Sequence, residues 1–305
     1  MSLFAAARRQ SLAPMLGAFV WLGLGACASA VAPRTVPSEP PTPLPVPLPA
    51  PPPPPATVRY TMPALVTDAR YRLHSVTELE RDSAGRRDVQ QVSGDAQVVV
   101  RLRRQASGNL SATGRVLGYA VTSALSTTPI AIDSLRFDAI LDSLALRVAM
   151  QPPLVNECDR PESGALTLVR DLLLRVPANL AVGDQWRDST VQVVCRASLP
   201  MIIRTVAEYV VSDSARGDDG LQLVIHRTST SRVEGKTSSP WRSVEVAGRG
   251  TARLEARVSV SSGAVSRLES NGTLTLTVTD RTSPASVRSQ DVTQRVKLTA
   301  TTIAP

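Results

Sequence analysis

Apolar and polar residues alternate along much of the chain after residue 57. In one run, Leu254, Ala256 and Val258 are separated by single charged residues. A period of two places neighbouring side chains on opposite faces of a β-strand. Similar runs occur at 98–102, 221–225 and 274–278, with glycine-containing turn sequences between them. Because clean alternation is typical of antiparallel sheets with one solvent-facing side, it predicts a mainly β fold: a large, curled antiparallel sheet, either a half-barrel or an open barrel.

One segment has the period of a helix instead. Leu166, Val169 and Leu173 follow each other at helical spacing, and Pro177 can end the helix. We therefore expect a single helix at 163–176, packed against the concave face of the sheet.

Residues 133–150 allow two interpretations. Phe137, Ala139 and Leu141 alternate as in a strand, and a turn at Asp142 would make a hairpin with the residues that follow. Leucines in the same segment also fit a helix. We favour the hairpin.

Proline dominates the residues before this domain. Of the 24 prolines in the chain, 13 lie in residues 31–57. Proline has no backbone N–H and a fixed φ, so this stretch favours an extended polyproline conformation. We interpret residues 27–57 as an extended linker that holds a β-rich domain, 58–305, away from its attachment point. A proline-rich ligand for a partner domain is the alternative.

The N-terminus has the pattern of an export signal. Arg8 and Arg9 precede an apolar stretch at 12–24 that is too short to span a bilayer. It ends in Leu24-Gly25-Ala26-Cys27, which resembles the lipobox of bacterial lipoproteins. The resemblance implies that residues 1–26 are a signal peptide and that Cys27 is lipidated after cleavage. An ordinary signal peptide is the alternative.

The same resemblance indicates a place in the cell. A lipidated Cys27 would anchor the chain to a membrane of the cell envelope. Ala28 differs from the aspartate that retains some lipoproteins in the inner membrane, which favours the outer membrane. We expect the β-rich domain in the periplasm or at the cell surface.

Two further cysteines, Cys158 and Cys195, would lie in an oxidising compartment after export. We expect them to form a disulfide, worth roughly 3–4 kcal/mol in the chain-entropy treatment. Two free thiols are the alternative, although the Cys-x-x-Cys spacing of redox motifs is absent.

The sequence offers little for catalysis. The chain has two histidines, His74 and His226, and both have the parity of solvent-facing strand residues. The paired acids Asp184 and Asp188 flank Trp186 and could serve a hydrolase as general acid and base, but a turn followed by a strand explains them better. We expect no enzyme activity, no cofactor and no metal site.

Charge argues against nucleic acid as a partner. The formal net charge is +8, but aromatic residues make up only 3% of the 305 residues, and the arginines are dispersed. Arg101, Arg103 and Arg104 lie close together, while Arg253 and Arg257 line a polar strand face. These groups could attract anionic lipid headgroups or envelope polymers.

The sequence therefore predicts a lipid-anchored envelope protein with a binding or structural role, and an envelope protein or lipid as its partner. A curled sheet around one helix is similar to periplasmic lipoprotein-carrier folds, so a carrier of a hydrophobic ligand is one alternative. A secreted hydrolase is another. A membrane-spanning barrel would need aromatic girdles, which so few aromatic residues do not supply.

Overall fold

The structure is a computed structural model of the chain. It describes residues 58–64, 66–83, 86–123, 126–142, 145–151, 162–196, 199–217, 220–239, 241–283 and 286–303. The expected signal peptide, the linker, Cys27 and Cys158 lie outside these residues, and Cys195 is described only by its backbone.

The described residues form thirteen strands and one helix. In chain order these are β1 (Arg59–Thr61), β2 (Val66–Ser83), β3 (Arg86–Arg104), β4 (Leu110–Ser123), β5 (Ser126–Leu141), β6 (Leu146–Gln151), α1 (Glu162–Arg170), β7 (Asn179–Ala181), β8 (Gln185–Arg196), β9 (Leu199–Gly217), β10 (Gly220–Ser239), β11 (Arg242–Ser259), β12 (Val265–Ser283) and β13 (Ser286–Thr302).

Eleven of the strands form one antiparallel sheet in the order β6-β5-β4-β3-β2-β13-β12-β11-β10-β9-β8. The two remaining strands, β1 and β7, pair with each other. The edge strands β6 and β8 approach each other, and Ala145, directly before β6, forms an isolated parallel bridge with Val191 of β8. The sheet is thus a nearly closed barrel, which confirms the predicted mainly β fold with a curled antiparallel sheet.

The alternation in the sequence explains which face is inside. Val98, Val100 and Leu102 of β3 point inward and are at most 7% exposed. Arg101 and Arg103, which have the opposite parity, are exposed on the outer face. The same alternation along each long strand removes apolar surface from water inside the barrel, which is the main favourable contribution to folding.

The predicted hairpin at 133–150 is confirmed. β5 and β6 are antiparallel, with Leu141 directly opposite Leu146. Asp142 closes the turn, since its carboxylate accepts a hydrogen bond of 2.8 Å from the backbone N–H of Ala145.

The helix is present but shorter than predicted, because it ends at Arg170 rather than at 176. The chain then makes one turn and continues without regular structure. Leu172, Leu173 and Leu174 are all at most 4% exposed. Three consecutive side chains cannot share one helix face, so the single apolar stripe that predicted a helix to 176 does not describe this segment, which is buried on more than one side. We refer to residues 162–176 as the plug.

The barrel interior contains two apolar clusters with a polar belt between them. The larger cluster surrounds the plug, and the smaller one includes Met201, Val233 and Leu276. We define the polar belt as the inward-facing residues Thr205, Arg227, Ser229, Ser231, Ser270 and Gln294.

Candidate functional site

A cavity of about 260 Å³ lies within the barrel, between the plug and the smaller apolar cluster. The polar belt and the plug supply most of its hydrogen-bonding groups, and Leu141, Leu146 and Leu274 are among its apolar contacts. Drug-sized ligand pockets occupy roughly 300–1,000 Å³, so this cavity is at the small end. Its chemistry depends on the charged groups around it.

The first charged group is a pair that joins the plug to the barrel wall. Arg227 of β10 donates a hydrogen bond of 2.9 Å from Nη2 to Asp171 Oδ1. Burial acts to lower the pKa of Arg227, but Asp171 and Tyr209 outweigh it and hold the pKa above its ordinary value. Burial has the opposite effect on the Tyr209 phenol, whose pKa it raises. Arg227 therefore stays charged and Tyr209 neutral at ordinary pH.

In a second pair the charges are reversed, because the arginine belongs to the plug and the carboxylate to the wall. Arg175 donates a hydrogen bond of 3.3 Å to the buried carboxylate of Asp188 on β8. The Trp186 indole N–H donates 3.2 Å to the carbonyl of Arg175. The same indole ring stacks on Tyr209 with 4.8 Å between ring centroids. The two pairs and this stack fix the plug relative to β8, β9 and β10.

A third arginine fixes the end of the plug. Arg104 donates hydrogen bonds to the carbonyls of Val176, at 3.2 Å, and Gly263, at 2.8 Å. Its side chain is buried, and burial lowers the pKa of the guanidinium. Arg104 therefore cannot join Arg101 and Arg103 in attracting anionic groups from outside the barrel.

The signal that could have found Arg104 was its parity. It follows Val98, Val100 and Leu102 at intervals of two, so it continues the inward-facing series of β3. Arg227 was missed for the same reason, because it shares parity with the buried residues Leu223 and Ile225. An arginine on the apolar parity of a strand predicts a buried guanidinium with acceptors close by.

Asp184 and Asp188 have structural partners. The Asp184 carboxylate accepts 2.9 Å from the backbone N–H of Ala181 and lies 3.5 Å from Arg59. Asp188 accepts from Arg175 and from the backbone N–H of Ser189. Both carboxylates are thus engaged in contacts that hold the turn, the strand and the plug in place, which favours the turn-and-strand interpretation over acid–base catalysis.

The two histidines, His74 and His226, lie on different strands and do not form a common site. His74 is exposed on β2 and forms a 2.8 Å contact with Asp95, while His226 is exposed on β10. Among the described residues, no three His, Cys, Asp or Glu side chains are placed to hold a metal ion. The lipidation of Cys27 and the pairing of Cys158 with Cys195 stay predictions.

Comparison with known proteins gives only remote likenesses. No family model matches the chain, and no curated protein matches it in sequence. Among solved structures, Pseudomonas aeruginosa OccK2 (OpdF) in complex with glucuronate matches 78% of this chain and 97% of its own, with 7% identity and a TM-score of 0.24. Pseudomonas aeruginosa OccK5 (OpdH) covers 78% of this chain and 98% of its own, with 6% identity and a TM-score of 0.24. Scores of this size establish neither a common fold nor a common function.

Across the described ranges, no helix is both long and apolar enough to cross a membrane.

Proposed function

We propose that the chain is a lipid-anchored protein of the bacterial cell envelope whose barrel has a binding role and no catalytic one. The observation that carries this proposal is the direction of the alternation: apolar side chains point inward and charged side chains point outward. A barrel of this kind faces water on its outside, so attachment to a membrane would come from lipid on Cys27.

The outer face supports a water-facing domain. On β11 the outward residues include Arg249, Arg253 and Glu255, all exposed. A lipid-facing barrel needs an apolar outer band about 25 Å tall. The large apolar side chains with most exposure lie mainly near strand ends or on the edge strand β8: Val58, Val66, Val89, Ile140, Val182, Val191, Val193, Ile202, Trp241 and Val287.

The interior supports binding over the two alternatives. A carrier of a hydrophobic ligand would need a larger apolar cavity. Hydroxyl, amide and charged groups line much of this cavity. Hydrolysis would be served by an available carboxylate, whereas Asp171 and Asp188 both accept hydrogen bonds from arginine. We infer that the charged groups inside the barrel hold the plug and that the binding surface lies outside.

The experiment is fractionation of cells that express the full chain or its Cys27→Ala variant. We expect the native chain in the membrane pellet, at outer-membrane density, and the variant in the soluble envelope fraction. Mass spectrometry of the N-terminal peptide should show Cys27 with its acyl chains. Ala28→Ser is the matched control, because it changes the next residue and leaves the lipobox intact. A Cys27→Ala variant that still pellets completely with membranes would overturn the anchor.

A further inference from the structure

Three arginines lie side by side on the outer face of the barrel. Arg232 of β10 is directly opposite Arg204 of β9 on one side and Arg249 of β11 on the other. Like charges directly opposite each other in a sheet are destabilising. Among the described residues, one carboxylate reaches this row: Glu234 contacts Arg232 at 2.8 Å and Arg204 at 3.1 Å. The row therefore keeps positive charge that does not serve the stability of the sheet.

The next outward row contains hydroxyl groups. Thr230, Thr251 and Thr273 are register partners across β10, β11 and β12, and all three are exposed. Threonine hydroxyls can donate and accept hydrogen bonds. In an antiparallel sheet, outward residues two positions apart along a strand are roughly 7 Å apart, so the arginine and threonine rows are adjacent.

The threonine row forms the floor of an outer groove of about 840 Å³. A third row, containing Thr228, Arg253 and Asn271 as register partners, lines its other side. The groove continues over seven neighbouring strands, from β2 to β8 in the order of the sheet. At about 4.8 Å per strand, it is about 29 Å long.

The residues behind the groove explain its shape. The inward positions under the floor are small: Ser229, Gly250, Ala252 and Gly272. A Cβ on Gly272 would lie 3.3 Å from the Cβ of its register partner Ala252, so a larger side chain has little room between β11 and β12 here. Larger apolar residues occupy the two clusters on either side. We attribute the groove on the outer face to these small inward-facing residues, which let the sheet bend inward between the two clusters.

The charge in the groove is mostly positive. Arg187, Arg253, Arg295 and Lys297 line it together with the acids Glu78 and Glu208. Arg295 contacts Glu78 at 2.6 Å, and Lys297 contacts Glu269 at 3.3 Å. Two of the four cations therefore have carboxylate partners, and the adjacent arginine row adds further positive charge.

We infer that the arginine row and the groove together bind a linear anionic polysaccharide. Arginine guanidinium groups fit carboxylate, phosphate and sulfate oxygens, and threonine and asparagine side chains can bond sugar hydroxyls. A long, concave surface fits a chain better than a flat bilayer. None of the described residues that line the groove is aromatic, so it offers no platform for stacking nucleic acid bases. The inference deepens the proposed function by naming the partner of the outer surface.

The test measures binding of the full chain, purified in nonionic detergent, to dextran sulfate and to neutral dextran of the same length. We compare Arg204→Gln/Arg232→Gln/Arg249→Gln with the control Arg70→Gln/Arg72→Gln/Arg103→Gln, which removes the same charge from exposed positions on β2 and β3. We expect dextran sulfate, but not dextran, to bind. The first variant should weaken binding by at least about tenfold at low salt, and the control by less than about threefold.

Urea unfolding of both variants separates binding from folding. Because the row places like charges together, its removal should leave the unfolding midpoint unchanged or raised. Thr251→Val, which keeps the charge, should weaken binding without changing its dependence on salt.

Three results would overturn the inference: equal losses in the two triple variants, a lowered unfolding midpoint in the first variant only, or tighter binding of a single-stranded oligothymidine than of dextran sulfate. None of these depends on lipidation, so they leave the anchor proposal standing. Equally, soluble Cys27→Ala protein that binds dextran sulfate would support both proposals, and membrane-bound Cys27→Ala protein would contradict only the anchor.

Discussion

Removal of Asp171 should destabilise the barrel more than removal of its partner Arg227. The side chain of Arg227 is only 14% exposed, whereas that of Asp171 is 35% exposed. Asp171→Ala leaves a buried guanidinium without its carboxylate. Arg227→Met leaves a carboxylate that water can reach, and the methionine retains much of the apolar contact.

The expected sizes follow from the exposures. Breaking a fully buried ion pair destabilises a protein by about 3–5 kcal/mol because the remaining charge is uncompensated. Since Asp171 is a third exposed, we discount this to about 2–3 kcal/mol for Asp171→Ala, and to about 1 kcal/mol for Arg227→Met. The double variant should resemble Arg227→Met alone, because no uncompensated charge is then left in the interior.

Urea unfolding followed by the fluorescence of Trp186 measures these changes, since that ring stacks on Tyr209 beside the pair. A Trp241→Phe background removes the signal of an indole that is 75% exposed. The midpoint of Asp171→Ala should fall by about 1 M urea. If Arg227→Met is the more damaging change, or if the double variant loses the sum of the two single losses, the buried-charge argument is refuted.

The remaining predictions concern packing, pH and the cysteines. Gly248→Ala should destabilise the barrel by about 1–3 kcal/mol in urea, because the added Cβ would overlap the backbone carbonyl oxygen of Thr275 and the side chain of Leu276; unchanged stability would contradict this. The Tyr71 hydroxyl is buried, has no hydrogen-bond partner among the described residues, and has a pKa raised by burial. Tyr71→Phe should therefore be neutral or stabilising by up to about 1 kcal/mol at pH 7. Because a raised folded-state pKa gives stability that is complete below the unfolded value of about 10 and declines above it, the variant should also lose less stability than the native chain between pH 10 and 12. Mass spectrometry of protein from the envelope without reductant should show Cys158 linked to Cys195, and two free thiols would refute the disulfide.

The sequence was sufficient for the fold class because the period of two continues through strands as long as the 20 residues of β10. Parity also placed His74 and His226 outside correctly. The apolar spacing did not predict that the helix ends at Arg170. Leu172 and Leu174 are buried by the surrounding barrel, and that burial depends on the tertiary structure rather than on the local spacing of apolar residues.

The outer arginine row shows why the candidate binding surface was harder to predict than the sheet that carries it. Ser239 pairs with Arg242, so a hairpin with a two-residue loop fixes Arg232 opposite Arg249. That pairing is local, and a sequence pattern can in principle supply it.

The third member of the row depends on an irregularity. Val224 pairs with Asp213, but Ile225 pairs with Val211, so Ser212 is an extra residue in β9. Without this bulge, the register would bring Arg232 opposite the inward-facing Thr205 instead of Arg204. A bulge shifts the pairing of every residue beyond it by one position, and the polar run Ser212-Asp213-Ser214 has no apolar residue to show where the shift occurs. The arginine row is therefore a product of long-range register, and a binding surface built in this way becomes visible only when the strands are paired.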